Sequence, residues 1–212
     1  EVYRSREEQT GGRSGSFGEQ TAEEAAYGSC FIAGTKITMA DGTIKNIEDI
    51  IVGDKVKGYK GDNEVIKLDP TLLGERKLYS FNNNEHYFFT SEHPFMTDEG
   101  WKSIKPEKTK ERDGIELYNQ LKGELKIGDK LVTEKGLIEI KEIKSKHMNY
   151  PKMPLYNFNV SNDNSYIADG YVVHNKGGGG GGDDGGGGGT YVCTASYANN
   201  LITPLDFKAL KK

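Results

Sequence analysis

From residue 30 onward the chain is built of short runs in which apolar and polar positions alternate, separated by Gly, Asp, Asn and Pro. Lys36 to Ala40 and Thr43 to Lys45 flank Asp41-Gly42, the dipeptide favoured in a primed hairpin turn. Further strand-like runs are Lys55 to Lys60, Glu64 to Leu68, Lys77 to Phe81, His86 to Thr90, Leu131 to Thr133, Leu137 to Lys146, Leu155 to Val160, Tyr166 to Ala168 and Tyr171 to His174. Many are rich in β-branched and aromatic residues with a period of two, and no amphipathic helical stripe interrupts them. The pattern predicts an all-β domain spanning 30–175. Between Trp101 and Leu125 the chain is charged and uneven, and Pro106 to Gly114 at its centre reads as a surface loop.

The flanks carry a different pattern. Residues 1–29 are rich in Glu, Gln, Gly, Ser and Arg, with few apolar positions, and read as a solvated linker. Residues 176–189 are a glycine-rich linker that buries too little to offset its ordering entropy. Residues 190–212 read as the opening of a further domain, with Thr203-Pro204-Leu205-Asp206 starting a helix. A first residue that is not Met and an end inside a helix-like segment suggest an excerpt of a longer polypeptide.

Charge and composition then remove several functions. With 28 Lys+Arg against 32 Asp+Glu the net charge is -4, so no strong field points to nucleic acid or to an anionic membrane. No stretch approaches the roughly 20 apolar residues needed to span a bilayer. His86, His93, His147 and His174 lack the spacing of a zinc site, and the glycine tract does not fit a phosphate loop, so neither a metal nor a cofactor is expected. Two cysteines, Cys30 and Cys193, make no disulfide framework, although a single bridge between them is open.

One internal similarity stands out. Ile51-Val52-Gly53-Asp54-Lys55-Val56 returns as Lys126-Ile127-Gly128-Asp129-Lys130-Leu131, in both cases a Gly-Asp turn opening a strand. This is either a chance match of two ordinary turns or the trace of a duplicated half-domain whose ends meet.

The chemistry-bearing residues lie at the edges and middle of the β-segment: Cys30 at its start, Thr90-Ser91-Glu92-His93 within it, and His174-Asn175 at its end. Each alone has an ordinary reading, as a small buried hydrophobe, a hydrogen-bonded imidazole or a turn residue. Together they resemble the Hint superfamily of inteins, bacterial intein-like domains and hedgehog autoprocessing domains. The resemblance rests on Cys30-Phe31-Ile32-Ala33-Gly34-Thr35-Lys36-Ile37, on Ile47 to Asp54, on Thr90-Ser91-Glu92-His93-Pro94-Phe95, and on Leu155 to Val160 leading to Tyr166 to Asn175. It implies a pseudo-two-fold, horseshoe-like β-fold and a monomeric, single-turnover domain whose substrate is its own flanking sequence.

The resemblance also implies roles. Cys30 would attack the carbonyl of Ser29, exchanging an amide for a thioester, with His93 moving the protons and Thr90 supporting the oxyanion. Asn175 would close on its own carbonyl to a succinimide and release Lys176, with His174 assisting. Three positions depart from the family pattern. Lys176 stands where inteins place Cys, Ser or Thr, Asn157 where many relatives have Asp, and Asn164 where a penultimate-block His is found. Lacking a downstream nucleophile, the chain is similar to intein-like domains of the His-Asn type. Cleavage, or joining through the freed Lys176 amine, is therefore expected in place of standard splicing. The alternatives are a degenerate Hint fold kept as a β-spacer or interaction module, and a disulfide tether through Cys30 and Cys193.

Overall fold

In a computed structural model of the chain, residues 30–82 and 84–175 are described. The two flanks, the glycine tract and Cys193 lie outside the described residues. Short antiparallel strands make up most of the described segment, arranged in three open sheets.

The largest sheet runs in the spatial order Gly100–Lys102, Phe95–Thr97, Lys130–Thr133, Tyr171–His174, Ser165–Ala168, Lys36–Thr38, Ile44–Asn46, with Gly136–Glu139 hanging from Lys130–Thr133. Its layout is nearly palindromic. A hairpin sits at either edge, and the final hairpin of the domain, Ser165–Ala168 with Tyr171–His174, lies between them. A second sheet holds Phe31–Ile32 between Phe89–Thr90 and Pro154–Tyr156. Aromatic rings fill the space where these sheets meet: Phe81, Phe88, Phe89 and Phe95 are all buried, with centroids such as Phe89–Phe95 at 4.7 Å. Burial of each such ring contributes roughly 2–3 kcal/mol before its entropy cost.

The repeated Gly-Asp motif is structural. Gly53 N–H donates to the Val65 carbonyl and Gly128 N–H to the Ile140 carbonyl, both at 2.8 Å. Asp54 Oδ2 accepts from Ile51 N–H at 2.9 Å and Asp129 Oδ2 from Lys126 N–H at 2.8 Å. Each aspartate also pairs with a lysine of the preceding hairpin, Lys45 at 2.6 Å and Lys102 at 2.8 Å. Both glycines have positive φ, 91° and 96°, which a residue with a Cβ adopts at a cost.

Three expectations need correction. Residues Pro106–Gln120 form a helix, not a surface loop. It carries a first-turn proline and the Lys108–Glu111 ion pair at i,i+3, but what it buries is Thr109, Leu117 and the charged side chains of Arg112 and Asp113, so no apolar stripe marks it. Gly114, at φ 83° and ψ 178°, breaks it into two pieces. The Asp41-Gly42 turn is a three-residue loop, Ala40 to Gly42. Met39 N–H donates to the Thr43 carbonyl and Gly42 sits at φ 83°, the geometry of a type I turn followed by a left-handed residue. Finally, Leu137 to Lys146 is two strands, Gly136–Glu139 and Ile143–His147, which belong to different sheets.

Candidate functional site

One segment, Phe89–Thr97, runs between both ends of the domain. At its start, strand Phe89–Thr90 pairs with Phe31. There Thr90 N–H donates to the Cys30 carbonyl (3.2 Å), and Cys30 N–H donates to Thr90 Oγ1 (3.1 Å). At its far end the Pro94 carbonyl accepts from His174 N–H (3.1 Å), and Phe95 lies opposite Val173 in the ladder. His93 sits between, its own N–H bonded to the Thr90 carbonyl at 3.1 Å. Cys30, Thr90, His93, His174 and Asn175 are thus brought to one buried region, each at most 3% exposed.

Burial sets the charge of this region. The Cys30 thiol is pushed up to about 12, chiefly by desolvation, with Arg76 and Arg112 opposing. His93 is held well below the usual imidazole range, first by burial and then by the nearby charge of Arg112. Its ring packs against Phe31 at 4.2 Å between centroids, and neither ring nitrogen has a hydrogen-bond partner among the described residues. His174 is lowered to about 4, again by burial. At neutral pH the resting site therefore holds a thiol and two neutral imidazoles.

The C-terminal end is more fully bonded. His174 Nδ1 lies 2.6 Å from the Asn175 carbonyl oxygen, which makes the neutral Nδ1–H tautomer the donor. The Trp101 ring stands edge-on to the His174 imidazole at 4.9 Å. Asn175 N–H donates to the Asn164 carbonyl (2.8 Å). The side-chain amide orientation that satisfies both its atoms has Nδ2 donating to the same carbonyl and Oδ1 accepting from Val160 N–H, each at 2.8 Å. Asn164, with φ 55°, thus meets Asn175 through its main chain rather than through its side chain.

Asn157 is buried, and its Oδ1 accepts from the Tyr166 hydroxyl (2.7 Å) and from Phe158 N–H (2.8 Å). Tyr166, read from sequence only as a strand residue, is fully buried beside His93, with ring centroids 6.5 Å apart. Arg112, Arg76 and Trp101 also lie near the site and carry no sequence signal, while Glu92 stands in the Thr90–His93 block with no role of its own. A buried arginine in a charged run has no distinguishing pattern. The dipeptide Pro106-Glu107 at a helix start was the available signal for the element that carries Arg112.

A profile of the Hom_end-associated Hint family matches residues 30–95, the span that contains Cys30, Thr90 and His93. The bacterial intein-like domain from Clostridium thermocellum is similar at 25% identity and a TM-score of 0.51, over 69% of this chain and 98% of that one. The described residues have the intein Hint fold. The gp41-1 intein shares the fold at 23% identity and a TM-score of 0.52, over 70% of this chain and 99% of the intein. The Hint fold supports protein self-processing in general, and the open antiparallel sheets agree with that fold. The family profile ends at Phe95, so the His174-Asn175 corner stands on geometry alone.

Proposed function

We propose that this Hint domain processes its own chain at two junctions, Ser29-Cys30 and Asn175-Lys176. At the first, the Cys30 sulfur attacks the Ser29 carbonyl. The S–C bond forms, the C–N bond breaks, and the thiol proton passes by way of His93 to the departing Cys30 amine. With the thiol near 12, forming a free thiolate at pH 7 would cost about 7 kcal/mol. Proton transfer to neutral His93 in concert with attack avoids that cost. Thr90, already bonded to Cys30 N–H, supports the tetrahedral intermediate.

At the second junction, Asn175 Nδ2 attacks the Asn175 carbonyl carbon, the bond to the Lys176 nitrogen breaks, and the amide proton leaves with that amine. His174 Nδ1–H polarises the carbonyl being attacked. The thioester then yields to water, or to the Lys176 amine, which would join the flanks. No metal or cofactor enters the scheme, and the flanks are the substrate.

The observation that carries this reading is the single segment Phe89–Thr97, hydrogen-bonded to Cys30 at one end and to His174 at the other. Hydroxylamine trapping tests it: the hydroxamate of residues 1–29 is expected from the parent and not from Cys30→Ala. Absence of that product from the parent overturns the thioester step. A degenerate domain kept as a spacer would yield no trapped product and no Lys176 release.

A further inference from the structure

The turn 161–165 carries the acceptor on which Asn175 rests. The Asn164 carbonyl accepts from Asn175 N–H and, in the amide orientation that satisfies both side-chain atoms, from Asn175 Nδ2, each at 2.8 Å. Val160 N–H, where the ladder to Asp62–Leu68 shifts register, donates to Asn175 Oδ1 at 2.8 Å. One carbonyl thus fixes both the main chain and the side chain of the fully buried Asn175. These contacts also act on the amide itself. A primary amide nitrogen is a weak nucleophile because its lone pair is delocalised onto the oxygen, and an acceptor on Nδ2–H with a donor on Oδ1 favours loss of the Nδ2 proton as the nitrogen attacks.

The backbone that presents this carbonyl needs support. Asn162 and Asn164 both sit at φ 55°, in the left-handed region that L-residues enter only where local hydrogen bonds hold them. Asp163, between them, supplies those bonds. Its Oδ1 accepts from Ser165 Oγ (2.9 Å) and Ser165 N–H (3.2 Å), an Asx turn around Asn164. Oδ1 also accepts from Asn63 Nδ2, and Oδ2 accepts from Lys60 N–H at 2.8 Å. The same neighbours grip the next residue: Tyr59 N–H donates to Ser165 Oγ and Asn63 Nδ2 to the Ser165 carbonyl, both at 2.7 Å. Gly58 leaves room for this contact, since a Cβ there would run into Asn63 Nδ2.

We propose that Asp163 is a positioning residue for cleavage at Asn175-Lys176: its carboxylate fixes the turn so that the Asn164 carbonyl and Val160 N–H aim the Asn175 amide at its own main-chain carbonyl. This rests on the self-processing reading above. In that step Nδ2 forms the bond to the Asn175 carbonyl carbon, the bond to the Lys176 nitrogen breaks, and the Nδ2 proton ends on that nitrogen. Asp163 exchanges no proton in it. Among the described residues its bonds run to Lys60, Asn63 and Ser165 and none to the Thr90–His93 segment, so its removal falls on one junction only.

The test follows amide exchange by NMR in a Cys30→Ala/Asn175→Ala precursor of the full chain, with Asp163 intact, as Asp163→Ala and as Asp163→Asn. Asp163→Ala is expected to speed exchange of the main-chain N–H at position 175 by about ten-fold, while His174 N–H, bonded to the Pro94 carbonyl, keeps its rate. Asp163→Asn keeps an oxygen for Ser165 and is expected to restore most of the protection. In the cleavage-competent chain, Asp163→Ala is expected to slow release of Lys176 by about ten- to a hundred-fold and to leave hydroxylamine trapping at Ser29 unchanged. Unmoved exchange at position 175, equal slowing of both junctions, or an asparagine variant that behaves as the alanine variant overturns the proposal. If Asp163→Ala does not fold, the precursor with Asp163 intact still decides: slow exchange at position 175 is expected, and rapid exchange overturns it. The exchange measurement needs no cleavage. Lost protection in a chain that never cuts would uphold Asp163 as the residue that fixes position 175 and remove the processing reading, and cutting with unmoved exchange would do the reverse.

Discussion

The Gly53-Asp54 and Gly128-Asp129 turns are bonded alike, yet the chain reaches them by different routes. From the hairpin that carries Lys45 it passes through a single 3-10 turn, Ile47–Asp49. From the hairpin that carries Lys102 it passes through the helix Pro106–Gln120. In each half the aspartate binds the main chain of its own turn and the lysine of the preceding hairpin, so the scaffold closes whatever lies between. A repeated scaffold therefore tolerates a different insert in each half, and here the longer insert is fastened to the Thr90–His93 loop through Thr109.

The comparison breaks most visibly at the aspartates. The side chains of Lys102 and Asp129 are 6% and 9% exposed, whereas those of Lys45 and Asp54 are 30% and 17% exposed. Asp129→Ala leaves Lys102 buried with only the exposed Glu99 for a partner and is expected to cost about 3–4 kcal/mol in denaturant unfolding. Asp54→Ala, at the more solvated pair, is expected to cost about 1 kcal/mol. Equal losses would remove the asymmetry.

Next in size is pH. His93 and His174 flank the second hairpin, and the first hairpin has no histidine. Burial lowers His174 from 6.5 to about 4 in the folded state, so between these values the unfolded chain binds a proton that the folded chain does not. Stability is full above about pH 6.5 and falls as pH drops towards 4, by about 3 kcal/mol for His174, with His93 adding in the same direction. Thermal melts of a cleavage-blocked Asn175→Ala/Cys30→Ala chain check this. His174→Gln is expected to flatten the slope, and an unchanged slope would place the pH dependence elsewhere.

Smaller effects come from the glycines. Gly114→Ala meets no steric neighbour but forces a side chain into a glycine-only conformation, for about 2 kcal/mol. Gly53→Ala and Gly128→Ala, both at positive φ with open space around them, are each expected to cost about 1 kcal/mol. A clear difference between these two would argue against equivalent turns.

How much of this was legible in the sequence follows from what side-chain patterns record. Strands with one buried face, such as Asp62–Leu68 with Asn63 and Val65 inward, announce themselves by alternation. Ser165–Ala168 is buried at every position, so its sequence marks a strand but does not say that Tyr166 faces His93 and Asn157. The five junction residues were found because they stand in recognisable blocks. Arg112 was not, because its helix buries little and its burial depends on the Thr90–His93 loop, distant in the chain. The short hairpin Phe95–Thr97 with Gly100–Lys102 was missed for a related reason: its three-residue strands are too brief for a period to show.

The most direct test of self-processing is an intact-mass time course of the full-length chain with an added thiol, beside Cys30→Ala and Asn175→Ala. A fragment ending at Ser29 and another ending in an Asn175 succinimide are expected, each lost in its own variant. A chain that stays full-length throughout long incubation would contradict the account.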